Sequence, residues 1–328
     1  MNILLTGATG FLGFRTLERL VQLSNVHKIV ATGRILRKSR EILNPKVEYV
    51  LGDLKDKLFV STILKDIDIV INTASLSSPW GSKDDFYLAN VLTQKNIISS
   101  SKILGVNRFI YISSPSIYYN GMDRIMVKEN DPLPTRFVNN YSKTKREAEV
   151  LLENSNLKYI IIRPRAIIGR GDTVIMPRLI KAHSEGRLKI IGNGENRVDL
   201  TSVDNVVESI VLSINATSKA LNNTYNISDG NPVSLWDSIN IVLKGIGKEQ
   251  VHKIVKFKVA YFAASILEWV SWITRKEPSL TKYSIGVLTK TFTLDISKAI
   301  DLLNYKPIIS TEESIEEFIN WYNENESN

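Results

Sequence analysis

Short runs of aliphatic and β-branched residues recur through the first half of the chain, at positions 2–5, 28–31, 47–51, 67–72, 108–113 and 159–163. None alternates strictly between apolar and polar, so each reads as a strand covered on both faces. Helix-length stretches lie between them, notably 11–23, 84–104 and 142–154. Buried strands spaced by helices form a parallel sheet, and right-handed crossovers make it doubly wound. An α/β fold is expected, with a dinucleotide-binding Rossmann domain over residues 1–165. After residue 165 the pattern loosens: glycines and Pro232 punctuate shorter elements, and helices are predicted at 176–184, 203–215 and 234–243. No repeat or low-complexity linker intervenes. Residues 166–328 therefore read as a smaller α+β substrate lobe that exchanges segments with the first domain.

Composition changes this picture little. The absence of cysteine removes disulfides, thiolate metal sites and cysteine nucleophiles together, and suits a reducing compartment. The start, Met1-Asn2-Ile3-Leu4-Leu5-Thr6, lacks a basic segment followed by a long apolar one, so no signal peptide is read and a cytoplasmic protein is expected. A formal charge of +8 favours an anionic ligand or surface, with a solvated basic surface as the alternative. No nucleic-acid partner is expected. His27, His183 and His252 lack metal-ligand spacing.

The candidate chemistry begins at Thr6-Gly7-Ala8-Thr9-Gly10-Phe11-Leu12-Gly13, between a strand and a helix. Gly7 permits the turn, Gly10 lets backbone approach a pyrophosphate, Gly13 allows close packing, and the helix N-terminus offers its N–H groups. The second strand ends Thr32-Gly33-Arg34, with Arg37, Lys38 and Arg40 following and no carboxylate before Glu41. An NAD site usually places an acid there, whereas Arg34 suits a 2′-phosphate. NADP is the expected cofactor, with NAD as the alternative. Asp53 and Leu54 are candidates to meet the adenine, and Thr73 and Ala74 to pass close to a ribose. Ser114 follows the fifth strand, and Tyr141 and Lys145 lie four apart, on one helical face. A tyrosine needs nearby positive charge to exchange a proton at neutral pH, and Lys145 is expected to lower its pKa. Ser114, Tyr141 and Lys145 are the catalytic candidates, and Tyr141 and Lys145 would also contact the cofactor.

These motifs resemble the extended short-chain dehydrogenase/reductase superfamily, also called the NAD-dependent epimerase/dehydratase family. The resemblance runs through the glycine turn, Asp53, Ser114-Pro115-Ser116-Ile117-Tyr118, the Tyr141/Lys145 pair and Arg163-Pro164, and resumes over residues 197–206. Trp80-Gly81, residues 163–172 and residues 292–299 make the chain most similar to the 3-beta-hydroxysteroid dehydrogenase group, whose bacterial relatives include NADP-dependent 2-alkyl-3-oxoalkanoate reductases. The resemblance implies the same catalytic roles for Ser114, Tyr141 and Lys145, Pro164 beside the nicotinamide end, and Arg197 facing the cleft. Two departures stand out. The family's N-V-x-G-T-x-N stretch reads Asn90-Val91-Leu92-Thr93-Gln94-Lys95-Asn96, and Tyr119 replaces a usual glycine.

The expected activity is NADP(H)-dependent interconversion of a secondary alcohol and a ketone, on a hydrophobic hydroxy- or oxo-acid or a sterol-like compound. A nucleotide-sugar epimerase or dehydratase and a non-enzymatic dinucleotide sensor are the alternatives. Trp80 is a candidate to overhang the substrate. In the apolar stretch 258–275, Phe262 and Ile266 recur at helical spacing and are further substrate candidates. Lys256, Lys258, Arg275 and Lys276 flank it. A helix buried in the lobe or a homodimer interface, a lid, and peripheral membrane contact are the three readings of this stretch.

Overall fold

A computed structural model describes residues 1–326. Its centre is a parallel sheet of β1 (Asn2–Thr6), β2 (Lys28–Thr32), β3 (Val47–Tyr49), β4 (Ile69–Asn72), β5 (Arg108–Ile112), β6 (Tyr159–Pro164) and β7 (Asn223–Ile227), in the order 7-6-5-4-1-2-3. The helices that matter to the site are α1 (Phe11–Leu20), α2 (Thr93–Ile103), α3 (Asn140–Glu153), α4 (Val203–Ile214), α5 (Phe257–Thr274) and α6 (Lys282–Thr289). The strand order reverses between β1 and β4, and ligands of such sheets bind in the crevice beyond the strand ends at that point.

The continuous apolar character of the strands has a direct cause. Ile3, Leu5, Ile29, Ala31, Ile69, Ile71, Ile110, Ile112, Ile160 and Ile162 face one cluster, closed by Leu17 of α1 and Val206, Ile210 and Ile214 of α4. The intervening Leu4, Val30, Val70, Phe109, Tyr111 and Ile161 face the other, with Ile97 and Ile98 of α2 and Ala148 and Leu152 of α3. Each such side chain taken wholly from water contributes about 1.5–3 kcal/mol, so both faces commit the strands to the interior.

β7 was not among the expected strands. Its sequence, Asn-Thr-Tyr-Asn-Ile, looks like a turn, yet its buried polar groups are satisfied. Asn226 accepts from the Tyr118 hydroxyl (3.0 Å) and donates to Val127 O (2.9 Å), while the Tyr225 hydroxyl donates to Ala220 O (2.7 Å). The expected helix 84–104 is also divided: an α-turn (Lys83–Phe86) leads into a π-helical segment (Tyr87–Leu92) before α2 begins.

Beyond β6 a second sheet orders the strands Val233–Ser234, Arg197–Val198, Phe292–Leu294 and Arg124–Val127. The last comes from the first half of the chain, just as β7 comes from the second. No helix among the described residues is long and apolar enough to cross a membrane.

Candidate active site

At Gly7 and Gly13 the glycine turn is packed so tightly that no side chain fits. A Cβ on Gly13 would stand 2.0 Å from Gly7 O, and one on Gly7 (φ +70°) 2.7 Å from Thr73 Oγ1 and 2.8 Å from Ala74 N. Thr73 is fixed by its hydroxyl donating to Thr6 O (2.7 Å). The start of α1 therefore lies against the ends of β1 and β4, with bare backbone where a pyrophosphate needs close approach. Thr9, Phe11 and Leu12 belong to the same corner, and the Thr32 hydroxyl beside it is buried with no partner. This cradle fits a dinucleotide.

Arg34 is exposed at the end of β2. Arg40 folds back further than the sequence suggested: its Nη1 donates to Thr9 O (3.4 Å), its Nη2 to Gly171 O (3.2 Å), and it lies over the Phe14 ring. Asp53 accepts from Lys55 N–H (2.9 Å) and pairs with Lys55 Nζ (3.1 Å). Burial pushes its carboxyl up, but Lys55 and Arg34 together hold it below the usual range. Leu54 is half-buried and presents its carbonyl to Asn96 (3.1 Å).

Ser114 stands just beyond β5, where its Oγ caps a short turn and donates to Ser116 Oγ (3.0 Å). Asn139 caps α3 and sets Tyr141 in its first turn, against Phe86 at 6.3 Å between ring centres. Burial raises the Tyr141 pKa; the Ser114, Ser77 and Ser75 hydroxyls oppose that rise and Tyr283 adds to it. The expected depression by Lys145 is not what the protein alone produces. Lys145 Nζ donates instead to Ile112 O (2.7 Å) and lies 4.8 Å from the centre of the Tyr111 ring. Burial lowers its pKa to about 7, against the raising effect of Glu149. Pro164 is buried at the end of β6, beside Ile227 of β7.

A family model described as the 3-beta hydroxysteroid dehydrogenase/isomerase family matches residues 4–259. The chain belongs to that family. It is an NAD(P)-dependent oxidoreductase of the extended short-chain dehydrogenase/reductase type. It is 31% identical to the 2-alkyl-3-oxoalkanoate reductase of Stenotrophomonas maltophilia over 325 residues, 96% of this chain and 97% of the relative. With the mouse sterol-4-alpha-carboxylate 3-dehydrogenase (decarboxylating) it shares 29% identity over 323 residues, 94% of this chain and 88% of the relative. In fold it resembles the UDP-glucuronic acid 4-epimerase of Bacillus cereus, solved with NAD, at a TM-score of 0.76 and 23% identity, covering 99% of both chains.

Set against the family pattern, both departures find a partner in the structure. Gln94 accepts from the Asn72 amide at the end of β4 (2.5 Å), and Asn90 bridges Leu76 of the loop after β4 to Thr144 of α3 (3.1 Å). Tyr119 packs its ring against Tyr283 (5.9 Å) and Phe292 (6.2 Å). Its hydroxyl fills the space where Gly286 has no side chain, since a Cβ there would fall 1.8 Å from it.

The four substrate candidates do not gather around one cavity. Trp80 is half-buried in the loop before Gly81, whose carbonyl accepts from Asn140 at the start of α3 (3.3 Å). Arg197 is exposed and donates to Pro232 O. Phe262 and Ile266 are 68% and 47% exposed on α5, which packs on the lobe through the small Ala260 and Ala264. A small cavity near the relay is lined instead by Ser116, Tyr119, Arg165, Tyr283, Lys290 and Phe292, among others. No local sequence signal joins Arg165 to Tyr283; only the folding of α6 onto the end of β6 brings them together.

Proposed function

We propose that the protein interconverts a secondary alcohol and a ketone with NADP(H), on a hydrophobic hydroxy- or oxo-acid or a sterol-like substrate. The observation that carries the chemistry is the grouping of Ser114, Tyr141 and Lys145 beyond β5, next to the glycine turn. The bound nicotinamide would supply the hydride, which no side chain can. Ser114 holds the carbonyl oxygen, and the Tyr141 hydroxyl gives it the proton that completes the alcohol. Lys145, four residues on along the same helix, is held in its buried position by the Ile112 carbonyl.

The cofactor preference rests on Arg34, with Arg37 and Arg40 near it and no acid at the end of β2. Arg34→Ala is expected to weaken NADPH by about 1.5–3 kcal/mol, roughly ten- to hundred-fold, and NADH far less. Equal losses in fluorescence titrations would remove the 2′-phosphate from the reading. The substrate class is supported by the names of the relatives, a 2-alkyl-3-oxoalkanoate reductase and a sterol-4-alpha-carboxylate 3-dehydrogenase. A series of 3-oxo acids tests it: kcat/KM should climb with chain length, at about 0.8 kcal/mol for each methylene that finds apolar cover. A flat profile, with turnover of a UDP-sugar instead, would favour an epimerase or dehydratase.

A further inference from the structure

Arg165 takes no part in the relay, yet several contacts fix it. Its N–H donates to Ile227 O (3.1 Å), and its carbonyl accepts from the Thr201 hydroxyl. The next residue, Ala166, has φ +42°, a left-handed conformation that an alanine holds only where its surroundings compel it. The guanidinium lies 4.7 Å from the centre of the Phe292 ring. Its Nε is closed off from solvent and has no hydrogen-bond partner.

A cation in such a place calls for an anion. Among the described residues no carboxylate forms an ion pair with Arg165. Asp199 acts on it from a distance, but Asp199 Oδ2 accepts from Leu294 N–H (2.6 Å), and burial lifts its pKa to about 6. The cavity beside Arg165, ≈ 10 Å³, is lined by a second cation, Lys290, by Tyr119 and Tyr283, and by no acid. It adjoins the reacting centre. Ser116 in its wall accepts from Ser114 Oγ (3.0 Å), and Tyr283 acts electrostatically on both Tyr141 and Arg165.

We infer that Arg165, with Lys290 beside it, receives the carboxylate of the substrate and makes the site selective for oxo- and hydroxy-acids over neutral ketones and sterols; this rests on the reductase reading above. A planar guanidinium matches a carboxylate better than an ammonium does, and a neutral substrate would leave both cations without a counter-charge. The adjacency of Ser116 and Ser114 also favours acids whose oxo group lies near the carboxylate.

Two measurements on the full-length protein test this. The first compares kcat/KM for a long-chain 3-oxo acid and its methyl ester in the wild type, Arg165→Met and Arg165→Lys. The acid-over-ester preference should fall about tenfold or more in Arg165→Met and recover in part in Arg165→Lys. Equal losses on acid and ester would overturn the assignment. The second follows the melting temperature with dinucleotide present and a long-chain 3-hydroxy acid, its methyl ester or UDP added. The acid alone should stabilise the wild type, and it should not stabilise Arg165→Met. Persistent stabilisation of Arg165→Met, or stabilisation of the wild type by UDP in place of the acid, would also overturn it. A wild type that reduces no oxo acid but shows the Arg165-dependent stabilisation would keep the anion site and sink the reductase reading. Turnover of acid and ester with the same preference in wild type and Arg165→Met would do the reverse.

Discussion

Two arginines two residues apart show how differently the dinucleotide half and the substrate side handle charge. Arg163, within β6, is closed on every side: Nε and Nη2 donate to the two Glu149 oxygens (2.8 and 2.7 Å), and Nη1 donates to the Tyr118 hydroxyl. Glu149 accepts in turn from Arg146 (3.0 Å), which grips Glu153 (2.6 Å). Arg165 meets aromatic rings and phenols and has no such acid. The first arrangement ties β6, α3 and the turn after Ser114 into one body. The second leaves a cation facing a cavity. A buried charge such as Arg163 is paired within the chain, whereas the half-buried Arg165 keeps its partner's place open.

The largest effect should come from Tyr141→Phe, which keeps the ring against Phe86 and removes only the exchangeable proton. A loss of about 10²–10⁴ in kcat, with dinucleotide affinity in fluorescence titrations nearly unchanged, places the reacting group on the rigid side of the comparison. Wild-type kcat in this variant would remove Tyr141 from the relay.

Arg163→Met leaves the fully buried Glu149 with Arg146 as its remaining cation, and should cost about 3–5 kcal/mol in urea denaturation. Arg165→Met should cost far less, because no carboxylate is left behind. Similar losses for the two would erase the contrast between them.

Lys145→Met sharpens the same point through pH. The folded-state pKa is about 7, while in the unfolded chain the amine titrates at about 10.4. Between those values the unfolded chain holds a proton that the folded one has released, so wild-type stability gains as pH rises through this window. Below it both states carry the charge and the burial penalty is felt in full. The variant should lack this rise and be the more stable protein near pH 6.5, read from urea midpoints across pH; parallel curves would show that the amine is not held near neutrality.

The smallest effect belongs to α5. Phe262 and Trp272 are 68% and 78% exposed, so changing each to Ser should shift stability by no more than about 0.5 kcal/mol. A loss several times larger that depends on protein concentration would mean that a second copy covers this helix.

Much of the fold was legible because its signals are local. The isoleucines of β5 and β6, Gly7 and Gly13, and the Tyr141/Lys145 spacing act through backbone geometry and one helical turn. β7 was missed because Asn223, Thr224 and Asn226 resemble a loop; only in the fold do Tyr118 and Val127 satisfy the buried Asn226, and the Leu221 carbonyl take Asn223. At the candidate site, the positions of Ser114 after β5 and of Tyr141 and Lys145 on one face of α3 were readable from the chain. That Tyr119 and Arg165, both within the family pattern, would share a wall with Tyr283 was not, since nothing along the chain marks which residues meet there. Nor does the spacing reveal that the Ile112 carbonyl, set by β5, takes the Lys145 ammonium in the protein alone.

The sequence by itself determined a doubly wound parallel sheet and the glycine turn at its switch point, because short-range sterics and hydrophobic period leave few other solutions. The tertiary structure alone decided that Arg163 is paired and Arg165 is not, and that the apolar side chains of α5 face outward while Ala260 and Ala264 face in. Charge pairing falls off steeply with distance and depends on the dielectric around each group, so only the assembled fold separates two arginines that the sequence places side by side.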